Sequence, residues 1–413
     1  MALTAGTVCE IRTTGSQNAG GGFYDRNPGT SVDYSQQDSP QLTLTDLATD
    51  GAGTGLSSAT GGFTAAMAGN LIRITGGTLT AGWYEITAYT DTNNVTIDRS
   101  AGLSKSGGTG YVGGAFLIGG SLDNGFFAAL PLSSVVWIKS GSYTAKNAIT
   151  LQTGNISNAP LTVKGYKTSR GDGPDGTDRP LIDMGIYAFT VGNYTHARNL
   201  RFTGTGTHVV VVNGYGVAQN ILAENTYTTA VRNAFYTSDT GATCVHCEGK
   251  SEYGFAFKTG SATLDAWHLF ACYAHDSVTG IQAGATQTMI IGCVVDTCTT
   301  GITLGYNANV VSCVVYNCTD GISLSAQDYH GSITNTIITA CTNGLTTTAT
   351  YAENGFRDYN CLNNTNNYVN FTAGEHDIVA DPLLNDPSNG DFTLATGSPC
   401  FAAGLCVGTK VGL

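Results

Sequence analysis

The chain has 413 residues, of which 12% are charged, and its 30 acidic against 18 basic side chains give a net charge of −12. With no basic run of five or more there is no phosphate-neutralising surface, and with no apolar stretch near the roughly 20 residues that cross a bilayer, neither nucleic acid nor membrane is an expected partner. Glycine, 55 of 413, is nearly twice its usual ~7% share, yet 41% of the chain is apolar, which excludes collagen and disorder and describes a folded chain with many turns.

The opening residues, Met1 to Glu10, carry neither the basic nor the apolar region of a secretory signal, so synthesis and first folding in a cytosol are expected. Residues 1–110 read as a separate β-rich attachment module. Gly51 to Gly55 is a flexible loop, and Leu71–Ile74, Gly82–Ile86 and Asn94–Ile97 are short strands with turns between, which suits a small antiparallel sheet. Ser121 to Leu130 is the best short helix, with Ser121 as N-cap and Leu122, Phe126, Phe127 and Leu130 on one stripe.

Residues 129–212 hold short apolar strands: Val135 to Thr144, Leu161 to Tyr166 and Thr207 to Val212. Between them Ser169 to Pro180 is dense in Gly, Asp and Pro and so forms a loop; its Arg170-Gly171-Asp172 triplet is read as an ordinary polar loop, not a receptor motif.

From residue 244 to 347 the chain repeats. Glycine followed by an apolar residue recurs at Gly254, Gly280, Gly301, Gly321 and Gly344, at spacings of 26, 21, 20 and 23 residues. Three positions before each anchor stand Ser251, Ser277, Cys298, Cys318 and Cys341; eight before the last four stand Cys272, Cys293, Cys313 and Thr336. Within each segment apolar residues alternate with period two, as in Ile291, Cys293, Val295 and in Val311, Cys313, Val315, so each holds two or three short strands. Such a unit cannot bury its inward side chains alone. It can do so if the chain coils and each turn stacks on the last at about 4.8 Å, which is a parallel β-helix. A leucine-rich repeat would show its Leu-x-x-Leu-x-Leu pattern, and a propeller blade needs roughly 40 residues.

Residues 111–380 are therefore assigned to the solenoid, with the helix near 121–130 capping its N-terminal end, because an open end exposes apolar side chains and strand edges. Residues 381–413, turn-rich from Asp381 to Phe392, are expected to form the C-terminal cap.

Eleven of the twelve cysteines fall from Cys244 onward. Stacking explains them: Cys272, Cys293 and Cys313 form one inward ladder, and Cys298, Cys318 and Cys341 a second near a turn, each thiol packing as a small buried hydrophobe. A disulfide, if one forms in the closing segment, is expected to join Cys400 to Cys406 or one of these to Cys361. Cys244 and Cys247 are an isolated pair without the second pair that a zinc site needs.

The segments Phe63 to Ile86, Val136 to Thr144 and Asp381 to Pro399 resemble right-handed, pectate-lyase-like β-helix proteins of tailed-phage virions. The resemblance spans most of the chain and implies an all-β fold: a right-handed parallel β-helix solenoid with a small N-terminal antiparallel module and a short capping helix. It is less specific for role, because this solenoid carries lyases, hydrolases, adhesins and inert fibres alike.

The polygalacturonase-like Asn-Thr-Asp, Asp-Asp and Gly-His-Gly motifs are absent. The nearest acidic grouping is Glu248, Glu252, Asp265 and Asp276 with His246, His268 and His275, read as a solvated flank. No residue is assigned a catalytic, cofactor-binding or metal-binding role. The expectation is a non-enzymatic virion protein of a tailed bacteriophage: a capsid decoration, head fibre or tail spike, trimeric, docked on other virion proteins and facing a host-surface glycan. The alternatives are a polysaccharide lyase or glycosidase acting on bacterial surface glycans, and a bacterial surface adhesin.

Overall fold

The computed structural model describes residues 3–117, 120–151, 160–237, 239–260, 266–284, 287–305, 307–324, 330–347 and 355–402. The chain divides into two compact units, residues 1–147 with 151–181 and residues 148–150 with 182–413.

In the first unit, six antiparallel strands close into a barrel in the order Leu42–Thr49, Gly55–Ser57, Asn94–Ile97, Gly82–Asp91, Leu71–Thr75, Gly108–Val112. Alternation puts Leu44, Leu56, Ile72, Ile74, Tyr84, Val95 and Val112 into one core, and closure removes the free edges that an open sheet would present. Gly110 is required by close approach, since a Cβ there would lie 2.4 Å from Leu47 Cδ1 and 2.9 Å from Ile72 Cδ1.

The barrel is an insertion. Strand Val8–Ile11, which precedes it, lies parallel to Val135–Lys139, with Val8 opposite Val135 and Ile11 opposite Ile138, and that strand lies parallel to Thr162–Tyr166. The boundary drawn at residue 110 thus falls near the barrel's end, whereas the opening strand is a rung of a parallel ladder. The expected helix forms over Asn124–Phe127, but Asp123 caps it, accepting the Gly125 N–H at 2.8 Å. Ser121 is the first residue of a short strand, Ser121–Leu122, that pairs with Thr144 and Ala145. Leu122, Phe126, Phe127 and Leu130 are buried as their stripe predicts.

Glu10, fully buried, gathers partners from distant parts of this unit. It accepts from Arg12 Nε at 2.9 Å, from the Tyr166 hydroxyl, and from Arg170 at 2.8 Å. Arg170 also bonds Asp33 at 2.7 Å, while Asp172 accepts backbone N–H groups of Lys167, Thr168 and Ser169. The Arg170-Gly171-Asp172 side chains are thus engaged within the unit itself, so the triplet is a structural loop.

The second unit is a parallel β-solenoid with three short strands per coil. One coil reads Met289–Ile291, Val294–Asp296, Thr300–Leu304, and the next Asn309–Val311, Val314–Tyr316, Asp320–Leu324. Equivalent residues stack in register: Leu269, Ile290, Val310 and Ile333 in the first sheet, and Phe257, Ile281, Ile302, Ile322 and Leu345 in the third, which has ten strands. Parallel pairing of coils buries both the backbone groups and the inward side chains.

The coils turn their corners largely through residues with positive φ. At the first corner these are His246, Ala271, Gly292, Ser312, Asn335 and Tyr359, with φ from 49° to 64°; at the second they are Asp276, Thr297, Asn317 and Ala340, from 45° to 59°. The residue after each corner is the ladder residue of the repeat. Cys247, Cys272, Cys293 and Cys313 are continued by Thr336 and Asn360, and Cys298, Cys318 and Cys341 by Asn364. At a corner the strand hydrogen bonds lapse, so the N–H of one coil needs a side-chain acceptor from the next. The Cys272 N–H reaches Cys293 Sγ at 3.4 Å, Thr336 N–H reaches Asn360 Oδ1 at 3.1 Å, Cys318 N–H reaches Cys341 Sγ at 3.4 Å, and Cys341 N–H reaches Asn364 Oδ1 at 2.9 Å. The described cysteines are buried free thiols.

The described part of the closing segment packs along a flank. A hairpin of Leu384–Asp386 and Asp391–Leu394 lays Phe392 against the outward column Tyr273, Val294, Val314, Ile337, Cys361 of the second sheet, together with Cys400. Residue 406 lies outside the described residues; Cys361 and Cys400 face one another as thiols, joined by a hydrogen bond.

Candidate functional site: a polar row beside an open groove

The outward residues of the second sheet beside the hairpin form a polar row, which meets the hairpin at Tyr273. Register sets Glu248 opposite Tyr273, and Lys250 opposite His275 opposite Asp296, on three successive coils. Rungs are roughly 4.8 Å apart, so side chains on neighbouring coils meet as cross-strand pairs.

His275 is the hub. Its Nε2 lies 3.1 Å from Glu248 Oε1 and its Nδ1 3.0 Å from Asp276 Oδ2, and its ring stacks on Tyr273 with centroids 4.5 Å apart. Lys250 Nζ stands 3.2 Å from the same Asp276 oxygen. Tyr273 donates to Asp296 Oδ2 at 3.3 Å, and Thr297 donates to Asp296 Oδ1 at 2.7 Å. Burial disfavours the imidazolium of His275, but the two carboxylates outweigh it and hold its pKa above the ordinary value. Burial likewise opposes ionisation of Asp276, and His275 and Lys250 overcome it, so that carboxyl is held below its usual range. Asp296 goes the other way: burial raises its pKa more than its hydrogen bonds lower it.

Beside this row, along the second corner, runs an open groove of about 840 Å³. Lys250, Glu252 and Asp276 stand at one end, and Ser277, Thr297, Thr299, Asn317, Thr319 and Thr342 line the rest. Its walls are mostly hydroxyls and corner backbone, with the amide of Asn317, and Val278, Cys298, Cys318 and Ala340 lie among them.

The sequence grouping divides accordingly. Glu248, His275 and Asp276 are brought together, with Glu252 on the groove. His246 is exposed at a first corner, and His268 lies on the first sheet, its pKa lowered by burial. Asp265 lies outside the described residues. Lys250, Tyr273 and Asp296 belong to the row and were not singled out from sequence. Among the described residues no three His, Cys, Asp or Glu side chains are placed to hold a metal ion, and no helix is long and apolar enough to cross a membrane.

No protein-family profile and no curated protein matches the chain. Solved structures do. Pectate lyase Pel9A is similar with a TM-score of 0.50 at 12% identity over 70% of this chain and 85% of that one. The ORF18 protein of Geobacillus virus E2 is similar with a TM-score of 0.30 at 10% identity, covering 57% of this chain and 54% of that one. The catalytic domain of a GH87 α-1,3-glucanase gives 0.31 at 10% identity, over 87% and 90%. The fold is that of the pectate-lyase-like parallel β-helices. At such identity the likeness speaks of architecture alone.

Proposed function

We propose that this chain is a non-enzymatic, surface-exposed solenoid of a tailed-phage particle that holds a bacterial surface glycan along the groove of the second corner. The observation that carries this reading is the pairing within the polar row. His275 is bonded at both ring nitrogens, Lys250 and Asp276 are paired, and Asp296 is held by Tyr273 and Thr297, so the row is a satisfied network beside a hydroxyl- and amide-lined trough. A trough of that composition suits the hydroxyl-rich edge of a saccharide, which exchanges water hydrogen bonds for equivalent ones. The particle site, the partner virion proteins and a homotrimeric state belong to the same proposal.

The test is a glycan array of bacterial surface polysaccharides, followed by a reducing-end and unsaturated-product assay on each binder. Binding weakened by Lys250→Met and Thr319→Val, without product release, is the expected result. Immunogold labelling of source particles and a native mass measurement check location and stoichiometry.

One observation favours a second reading, a glycosidase. Asp296 is a carboxyl whose burial favours its protonated form near the carboxylate Asp276, as a general acid requires. Cleavage abolished by Asp296→Asn would establish it and end the non-enzymatic one.

A further inference from the structure

We infer that the outer face of the third sheet carries a separate anion-binding subsite, built from Tyr236, Lys258 and Gln282 with Arg232 four residues before Tyr236 on the same coil, that takes the acidic group of a surface polymer. Tyr236, Lys258 and Gln282 are in register on three successive coils and bound a recess of about 330 Å³ with Thr259, Gly260 and Gly284. A flat phenol ring, an ammonium and an amide on one column offer stacking, charge and hydrogen bonding to a single sugar unit.

Three features point to an anion there. The chain carries a net charge of −12, yet among the described residues neither Lys258 nor Arg232 stands within ion-pair distance of a carboxylate. Lys258 Nζ sits 4.4 Å from the Phe255 ring centroid, and Arg232 lies over Tyr227 and reaches the Thr207 hydroxyl at 2.7 Å. The buried Nε of Arg232 has no hydrogen-bond partner in the protein, and buried donors are normally paired.

His208 reports on the same field. Its ring stacks on Tyr236 with centroids 4.0 Å apart, and its Nδ1 lies 2.6 Å from the Asn233 side-chain amide. Burial, then Lys258 and Arg232, push its pKa down to about 4. Both cations therefore act on His208, whose ring stacks on the recess residue Tyr236.

A carboxylate on a uronate and a phosphodiester in a glycerol-phosphate polymer share this chemistry, and titration distinguishes them. Purified protein is titrated calorimetrically with trigalacturonate, with a glycerol-phosphate oligomer and with neutral maltotriose. One acidic probe is expected to bind, several-fold more weakly as salt is raised from about 0.02 to about 0.3 M, and about tenfold more weakly in Lys258→Met. Gln282→Leu and Tyr236→Ala are expected to weaken it too, and unchanged melting temperatures show that each variant folds. Equal binding of maltotriose, or affinity unaltered in Lys258→Met and Gln282→Leu, overturns the inference. Because these residues lie on the third sheet, a result is obtained here whether or not the second-corner groove takes a glycan.

Discussion

Burial alone would keep His275 neutral; the carboxylates of Glu248 and Asp276 reverse that. A base whose folded pKa is raised contributes stability that is complete below its unfolded value and is lost as pH rises through the folded one. Asp276, held low, contributes above its unfolded value and loses that contribution as pH falls. The row should be tightest between roughly pH 4.5 and 6.5. An NMR titration of the His275 ring is expected to give a midpoint above the ordinary histidine value, falling in Glu248→Gln. His208 acts with the opposite sign: its pKa, depressed to about 4, makes acidification from about 6.5 downward destabilising, and His208→Gln should remove that part of the acid limb. At Glu10 the issue is pairing rather than titration. Arg170→Ala leaves a fully buried carboxylate short of a partner and should cost about 3 kcal/mol or more in urea unfolding. The legibility of these residues from sequence was uneven for a geometric reason. His275 and Asp296 both stand five positions before their glycine anchors, Gly280 and Gly301, and so align in the repeat. Lys250 stands four before Gly254, but Phe255 lies opposite Thr279, so Gly254 matches Val278 and not the anchor Gly280; this coil carries one residue more at its second corner, and only the strand register places Lys250 beside His275.

At the level of strands and corners, the cysteine columns do more than fill space. Each follows a left-handed corner residue and gives the neighbouring coil's N–H an acceptor, which is why Thr336, Asn360 and Asn364 can continue the columns where an aliphatic residue could not. Cys341→Val, though close in volume and more apolar, should therefore lower stability by about 1–3 kcal/mol by orphaning the Cys318 N–H, whereas Cys341→Ser should lose less. Thermal melts of the two variants decide it, and equal losses would reduce the column to packing alone. The sequence displayed this column because a side chain repeated every 20 to 26 residues survives any register. Barrel closure was hidden: Leu42–Thr49, Gly55–Ser57 and Gly108–Val112 are rich in Thr, Ser and Gly, and the closing pair, Leu42–Thr49 with Gly108–Val112, joins residues more than sixty apart.

At the scale of the whole molecule, the flank that the closing hairpin covers is a liability. Val294, Val314 and Ile337 point away from the solenoid core and are buried only because Phe392 and its neighbours lie on them. Phe392→Ala should cost about 3 kcal/mol, and a chain ended at residue 380 should bind a hydrophobic dye and aggregate, since an apolar stripe along a stack of strands invites lateral association. A truncated chain that stays monomeric in light scattering would show the hairpin to be dispensable.

The placement of the barrel has a bearing on biosynthesis. Val8–Ile11 pairs early only with the two-residue strand Gly22–Phe23, and must wait for Val135–Lys139, 127 residues on (135 minus 8), before it has its parallel neighbour. At ribosomal speeds of about 5–20 residues per second the parallel edge of that strand goes unmatched for roughly 6 to 25 seconds. By then the intervening barrel has everything it needs to fold, and once folded it draws the two distant strands toward each other and shortens the loop to be closed. The insertion thus converts a long wait into a short search.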